Sequence, residues 1–136
     1  MSKHPHIFSL PLRVYFQDTD AGGVVYHANY LNFMERARTE WLRTHGYSNA
    51  GLMKEFGMVF VVRSFKLDYL KPALLDDLLD VTAQIKDIGR SRISLLQTVR
   101  RGTEVLTEAE VHLVCVSLAS FKPASVPEVL RMQLEK

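Results

Sequence analysis

Cysteine is nearly absent. Cys115 is the only one in 136 residues, which excludes an internal disulfide and fits a reducing compartment. No HExxH or CxxC occurs, and neither His45 nor His112 has a partner at metal-ligand spacing, so no metal and no cofactor is expected. Walker A and GxGxxG patterns are missing too, which removes the ordinary nucleotide-binding devices. No apolar stretch approaches the roughly 20 residues of a membrane helix. The opening Met1-Ser2-Lys3-His4-Pro5-His6 lacks the apolar run of a secretory signal. Neither sign of charge dominates: a net +2 is too little to argue for nucleic acid. With no repeat, low-complexity stretch or linker, residues 1–136 read as one cytoplasmic domain. Peripheral association with the inner membrane would leave no mark at this level.

What is present is ordinary globular material, 47% hydrophobic and 24% charged, in a chain long enough to bury a core. Phe8, Leu10, Leu12, Val14 and Phe16 alternate, predicting a strand over 7–16. From His27 to about His45, apolar Tyr30, Leu31, Met34, Ala37, Trp41 and Leu42 recur at helical spacing, with Gly46 as the stop. Ser48 is placed to cap a short helix ending at Phe56-Gly57. The period then changes. Strands are expected at 58–69, 78–88, 91–100 and 105–118, with tight turns that favour antiparallel neighbours. A Pro-containing tail at 121–127 precedes a helical turn or two at 129–134. The long amphipathic helix must bury its stripe against the sheet, an α+β arrangement.

The richest segment is Asp18-Thr19-Asp20-Ala21-Gly22-Gly23-Val24-Val25-Tyr26-His27-Ala28-Asn29-Tyr30. It sets two carboxylates and a Gly-Gly turn just before the unpaired N–H groups of a helix start, where an oxyanion is favoured. Each feature has a plainer reading beside the chemical one. Asp18 suits a turn and cap, and Asp-Ala-Gly-Gly around Asp20 is also an ordinary turn. Gly22 and Gly23 allow either a tight connection or close approach of backbone to a ligand. The His27 ring has no orienting neighbour in sequence and suits a structural role, whereas its backbone N–H lies where an anion is favoured. Cys115, inside an apolar strand, reads as inert core. Glu35 falls among the polar helix positions. Arg90 and Arg92 flank a hairpin turn, as a solvated rim or as phosphate ligands. Phe56, Met58, Phe60 and Tyr69 either line a tunnel or fill the core.

The segment 18–30, followed by Phe33-Met34-Glu35-Arg36-Ala37-Arg38, resembles the hotdog-fold acyl-CoA thioesterases of the 4-hydroxybenzoyl-CoA thioesterase type. Within them it is most similar to the branch associated with the Tol–Pal cell-envelope system. The likeness continues through Val61-Val62-Arg63, Tyr69-Leu70-Lys71-Pro72-Ala73 and Glu108-Ala109-Glu110-Val111 to Val116, and so covers most of the chain. It implies an antiparallel sheet wrapped around one long central helix, in subunits paired as a homodimer or homotetramer with active sites between them. It implies Asp20 as catalytic carboxylate and the His27 N–H as oxyanion donor. Gly22, Gly23 and Tyr26 would shape the substrate site, and Arg90 and Arg92 are the basic residues this chain offers to CoA. The implied reaction is hydrolysis of an acyl-CoA to free acid and CoA, with Asp20 as general base or as nucleophile. The alternative is a non-enzymatic module that binds acyl-CoA or acyl-carrier protein, linked to an envelope complex.

Overall fold

The structure, a computed structural model, describes residues 6–136. Strand β1 spans Phe8–Arg13, followed by helices α1 (Asn29–Thr44) and α2 (Asn49–Phe56). Then come β2 (Met58–Tyr69), β3 (Leu78–Ile88), β4 (Arg92–Arg101) and β5 (Glu104–Ser117), and helix α3 (Glu128–Leu134). The strands form one sheet in the order β1-β3-β4-β5-β2, every neighbour antiparallel. Strand bounds after Gly57 match expectation within one residue.

Packing follows from the two periods. The α1 residues Tyr30, Phe33, Met34, Ala37, Trp41 and Leu42 are buried on one stripe. They share a core with the inward residues of β3 (Leu79, Val81, Ala83, Ile85), β4 (Ile93, Leu95, Val99) and β5 (Val111, Leu113, Cys115). Fully burying each large side chain contributes about 1.5–3 kcal/mol. One polar residue enters this layer. Gln97, 1% exposed, donates to the carbonyls of Met34 and Thr82 and accepts from Arg38, so its amide is satisfied. Burial pushes the Cys115 thiol up, in line with inert core.

The first strand departs from expectation. It ends at Arg13, because Val14 exchanges hydrogen bonds with Asp77 and Asp76 and the chain then winds into a 3₁₀ turn at Phe16–Asp18. Asp18 drives that turn: its Oδ2 accepts the Tyr15 N–H at 2.8 Å while its own N–H reaches the Tyr15 carbonyl. Phe16 is thereby thrown outward, 82% exposed, instead of continuing the inward alternation. Helix α1 also starts two residues later than the pattern at His27 suggested. Its end, Gly46 at φ +89°, and that of α2, Gly57 at φ +61°, are left-handed residues where glycine avoids the Cβ penalty. Ser48 caps α2 by accepting the Gly51 N–H at 3.0 Å.

Two ends of the sheet result. One gathers the segment before α1, the β2–β3 connection and the β4–β5 turn. The other carries the β3–β4 hairpin with Arg90 and Arg92. There α3 inserts Leu130 and Leu134 into the core, and the Arg131 guanidinium donates to the Gly89 carbonyl at 2.5 Å.

Candidate active site

Residues 18–26 form a small hairpin. Thr19 bridges Val25, the Asp20 N–H reaches the Val24 carbonyl at 2.9 Å, and the Gly23 N–H returns to the Asp20 carbonyl at 3.1 Å. Asp20 sits at the tip, exposed to solvent. Its Oδ1 accepts the Gly22 N–H at 2.8 Å, while Oδ2 has no partner among the described residues. The turn thus aims the carboxylate and leaves one oxygen for chemistry. The two glycines are needed for different reasons. Gly23 has φ +78°, which a side chain resists. A Cβ on Gly22 would lie 3.3 Å from Asp20 Oδ1 and press on the carboxylate.

At the base of this hairpin, Asp18 holds the helix entry. Its carbonyl accepts the Tyr26 N–H at 3.0 Å and the Asn29 side-chain amide at 2.9 Å. Asp18 is buried, so its role here is the turn and cap. The Tyr26 carbonyl takes the Asn29 N–H at 2.8 Å. That carbonyl belongs to the same peptide plane as the His27 N–H, which has no partner among the described residues. The plane is therefore fixed from its oxygen side, and its N–H is both polarised and free. A free backbone donor near a helix N-terminus is the raw material of an oxyanion hole.

Behind the hairpin stands the β2–β3 connection. The Val25 N–H reaches the Ala73 carbonyl at 2.9 Å, and the Leu75 N–H reaches the Gly23 carbonyl at 3.0 Å. The buried Tyr30 hydroxyl accepts the Ala73 N–H at 3.0 Å. This wall is clamped by ions. Arg101 binds Asp77 and Glu104, each at 2.7 Å, and Lys71 binds Glu104 at 2.6 Å. Asp77 also accepts the Leu74 N–H at 2.8 Å. Hydrogen bonds from Lys71 and Arg101 hold the Glu104 carboxyl below its ordinary range.

An open cavity of about 310 Å³ lies against this wall, lined by Val25, His27, Tyr30, Tyr69 and the segment Leu70–Pro72. Aromatic rings line its mouth: His27 is 4.5 Å from Tyr26 and 6.4 Å from Tyr69, which is 5.4 Å from Tyr30. Burial raises the pKa of both the Tyr30 and the Tyr69 hydroxyl. Sequence reasoning placed Tyr30 in the apolar stripe and left Tyr69 between tunnel and core, and so missed both hydroxyl bonds. Of the other tunnel candidates, Met58 is core and Phe56 packs against it. Phe60 lines a separate groove between α1 and β2, with Glu35 and Arg38. Burial lowers the pKa of Arg38, whose guanidinium lies 5.9 Å from the centre of the Phe65 ring.

Within one chain, Arg90 and Arg92 are not brought to this site. Arg92 pairs with Val114, which pairs with Val61, whereas the site is level with Tyr69. At ~3.3 Å per residue the separation along the sheet is roughly 25 Å. Both arginine side chains are exposed and without an ion-pair partner among the described residues. No cluster of metal-ligating side chains occurs among the described residues, and no described helix is long and apolar enough to cross a membrane.

Comparison with known proteins gives this geometry its context. The family model described as Thioesterase superfamily matches residues 22–108. The acyl-CoA thioesterase YbgC of Haemophilus influenzae is 45% identical over 124 residues, 91% of each chain. The acyl-CoA thioester hydrolase YbgC of Escherichia coli O6:H1 is 46% identical over 123 residues, 90% of this chain and 91% of that one. Among solved structures, a probable thioesterase from Bartonella henselae superposes with a TM-score of 0.86 at 35% identity, covering 90% of this chain and all of that one. The sheet order, the single long helix beneath it and these matches agree: the chain belongs to the thioesterase superfamily and has its hotdog fold.

Proposed function

We propose that this protein hydrolyses acyl-CoA thioesters to the free acid and CoA. The observation that carries the reading is the 18–27 hairpin, which presents the Asp20 carboxylate at its tip and the unpaired His27 N–H at its base. The names of the YbgC relatives supply the substrate class. In this mechanism the thioester carbonyl docks with its oxygen on the His27 N–H, and negative charge growing there is met by a fixed donor and the positive end of α1. Asp20 either removes a proton from water as that water attacks and CoA thiolate leaves, or attacks directly to release CoA thiolate and give a mixed anhydride, which water then hydrolyses to the free acid and the restored carboxylate. Either route relies on positioning, since a carboxylate is a weak base at neutral pH.

The reading includes a pair of subunits. Strand β2 is a long outer strand with Val61 and Val62 exposed, an edge that self-pairing would cover. Antiparallel pairing of β2 with its copy reverses the direction of the second sheet. The partner subunit's Arg90 and the partner subunit's Arg92 then move towards the Tyr69 end of the first. In such a homodimer, or a homotetramer built from it, they are placed to bind CoA phosphates as charged donors. Tyr26, half-exposed beside His27, contributes to the substrate wall. An acyl-CoA substrate supports a cytoplasmic location. The resemblance to the Tol–Pal branch adds peripheral association with the inner membrane and acyl-carrier protein as a second thioester donor.

Purified protein assayed with acyl-CoAs of graded chain length, aliphatic and aromatic, tests this reading. Release of free CoA thiol is expected, with a preference within the panel. Tight binding of acyl-CoA with no release by any substrate would instead support a non-enzymatic binding module. Sedimentation of a stable, active monomer at micromolar concentration would refute the paired site.

A further inference from the structure

The carbonyl of His27 lies just outside α1, one residue before the N-cap Ala28, so the helix supplies it no donor: the Leu31 N–H goes to Ala28, at 3.2 Å. The His27 oxygen is taken by a side chain from the far edge of the sheet: the Tyr69 hydroxyl donates to it at 2.8 Å. Tyr69 is the last residue of β2, and its ring packs edge-on against both His27 and Tyr30.

We infer that Tyr69 is a positioning residue for thioester hydrolysis, its hydroxyl anchoring the peptide plane that follows His27 and so keeping the His27 N–H directed at the substrate. This rests on the assignment of that N–H as oxyanion donor. Two peptide planes meet at the His27 Cα. The preceding plane is fixed by the Asn29 N–H on the Tyr26 carbonyl, and the following one by Tyr69. Without the hydroxyl, the His27 carbonyl loses its donor among the described residues, and the peptide plane it anchors is free to turn and to carry the neighbouring N–H out of line. Such a displacement acts on the reacting geometry and leaves binding of the remote CoA portion alone, so it falls on kcat. The ring has a second part in the reading: it forms one side of the His27 cavity and so contacts the acyl or pantetheine portion near the carbonyl.

Two variants of the full chain separate the possibilities. Tyr69→Phe keeps the ring and removes the hydroxyl. His27→Pro removes the N–H itself. Each is measured for kcat and KM on one acyl-CoA, for oligomeric state and for Tm. The expected pattern is a drop in kcat of about tenfold for Tyr69→Phe with KM within twofold and Tm nearly unchanged. His27→Pro loses about 10²–10³ in kcat. If Tyr69→Phe turns over at the wild-type rate while folded His27→Pro does not, the positioning role is wrong and the oxyanion assignment stands. If folded His27→Pro remains active, the oxyanion assignment itself fails. A Tyr69→Phe protein whose Tm falls, or whose loss lies entirely in KM, contradicts the inference in favour of a structural or binding role. Should His27→Pro fail to fold, the kcat, KM and Tm pattern of Tyr69→Phe still decides the matter for Tyr69.

Discussion

The two ends of the sheet are built on opposite principles. At the helix-entry end nearly every polar group is engaged: Asp18 is buried and bonded, Tyr30 and Tyr69 are tied to backbone, and Arg101, Asp77, Glu104 and Lys71 form one ionic clamp. Asp20 Oδ2 and the His27 N–H are without a partner among the described residues, as is the buried Thr107 Oγ1 on β5, opposite Tyr69. At the β3–β4 end the backbone is fastened, through Arg131 and through the Val126 N–H on the Arg90 carbonyl, while the Arg90 and Arg92 side chains stand free in solvent. Under the proposed function the difference separates two tasks. Chemistry requires fixed geometry around a few unsatisfied groups. Capture of a flexible, multiply charged ligand portion requires only charge in reach.

The strongest break in this contrast is at the hairpin tip. Asp20→Asn keeps shape and the Gly22 contact through its amide oxygen but removes the charge. Turnover is expected to fall by at least about 10², with Tm unchanged, as measured by thiol release and thermal melting. Near-wild-type turnover would remove Asp20 from the mechanism. Asp18→Asn, by contrast, alters a buried turn residue, so its effect belongs in Tm more than in chemistry.

The paired glycines sharpen the same point. Gly22→Ala crowds Asp20 Oδ1 without straining the backbone, so kcat falls, several-fold to tenfold, with little loss of Tm. Gly23→Ala meets no neighbour but must hold φ +78°, so it costs about 1–2 kcal/mol of stability. Identical behaviour of the two variants would mean that the carboxylate is not aimed by its turn.

Much of this was legible in the residues. The α1 stripe, the Ser48 cap, the Gly46 and Gly57 stops and the four later strands are local signals, and they hold. Asp20, Gly22, Gly23 and His27 lie on one contiguous motif, so the sequence already shows them together. What was hidden depends on distant partners or on competition. Strand 7–16 was read too long because alternation is blind to the Asp18 side chain, which captures the Tyr15 N–H and turns Phe16 outward. Tyr69 lies 42 residues from His27, and no periodicity reports that its hydroxyl rather than its ring matters. Arg101 meets Asp77, 24 residues away in sequence, only through the fold. Arg90 and Arg92 were correctly set at a hairpin, but their distance from His27 in one chain follows from strand order.

At the open end, replacing Arg90 and Arg92 together with Ala is expected to raise KM for acyl-CoA several-fold with kcat nearly constant, because phosphate contacts far from the carbonyl are alike in ground and transition states. The effect should shrink with added salt, as for exposed charges. A short acyl-pantetheine thioester, lacking the nucleotide phosphates, should not respond. Equal losses on both substrates would assign these arginines to fold or pairing instead.

The smallest effect concerns the clamp behind the hairpin. Glu104 has its carboxyl held below the ordinary range, first by Lys71 and then by Arg101. A carboxylate whose pKa is lower in the folded state adds stability above its unfolded value, near 4.3. That contribution fades as pH falls through the depressed folded value. The wild-type protein should therefore lose part of its clamp only in acid, below roughly pH 4, and show no such loss at neutral pH. Glu104→Gln removes the titrating charge and keeps one acceptor oxygen, for Lys71 or Arg101 but not both. Its Tm should lie slightly below wild type at neutral pH and converge on it in acid, the gap staying small because these ion pairs face solvent and are screened. A gap of constant size down to low pH would show that Glu104 acts by packing rather than charge. The activity readout then tells whether the wall matters to the site. If the ionic clamp holds the β2–β3 connection against Gly23 and Val25, kcat of Glu104→Gln should fall modestly at neutral pH, whereas the exposed pair Arg43–Glu40 on α1, broken by Glu40→Gln, should leave kcat unchanged.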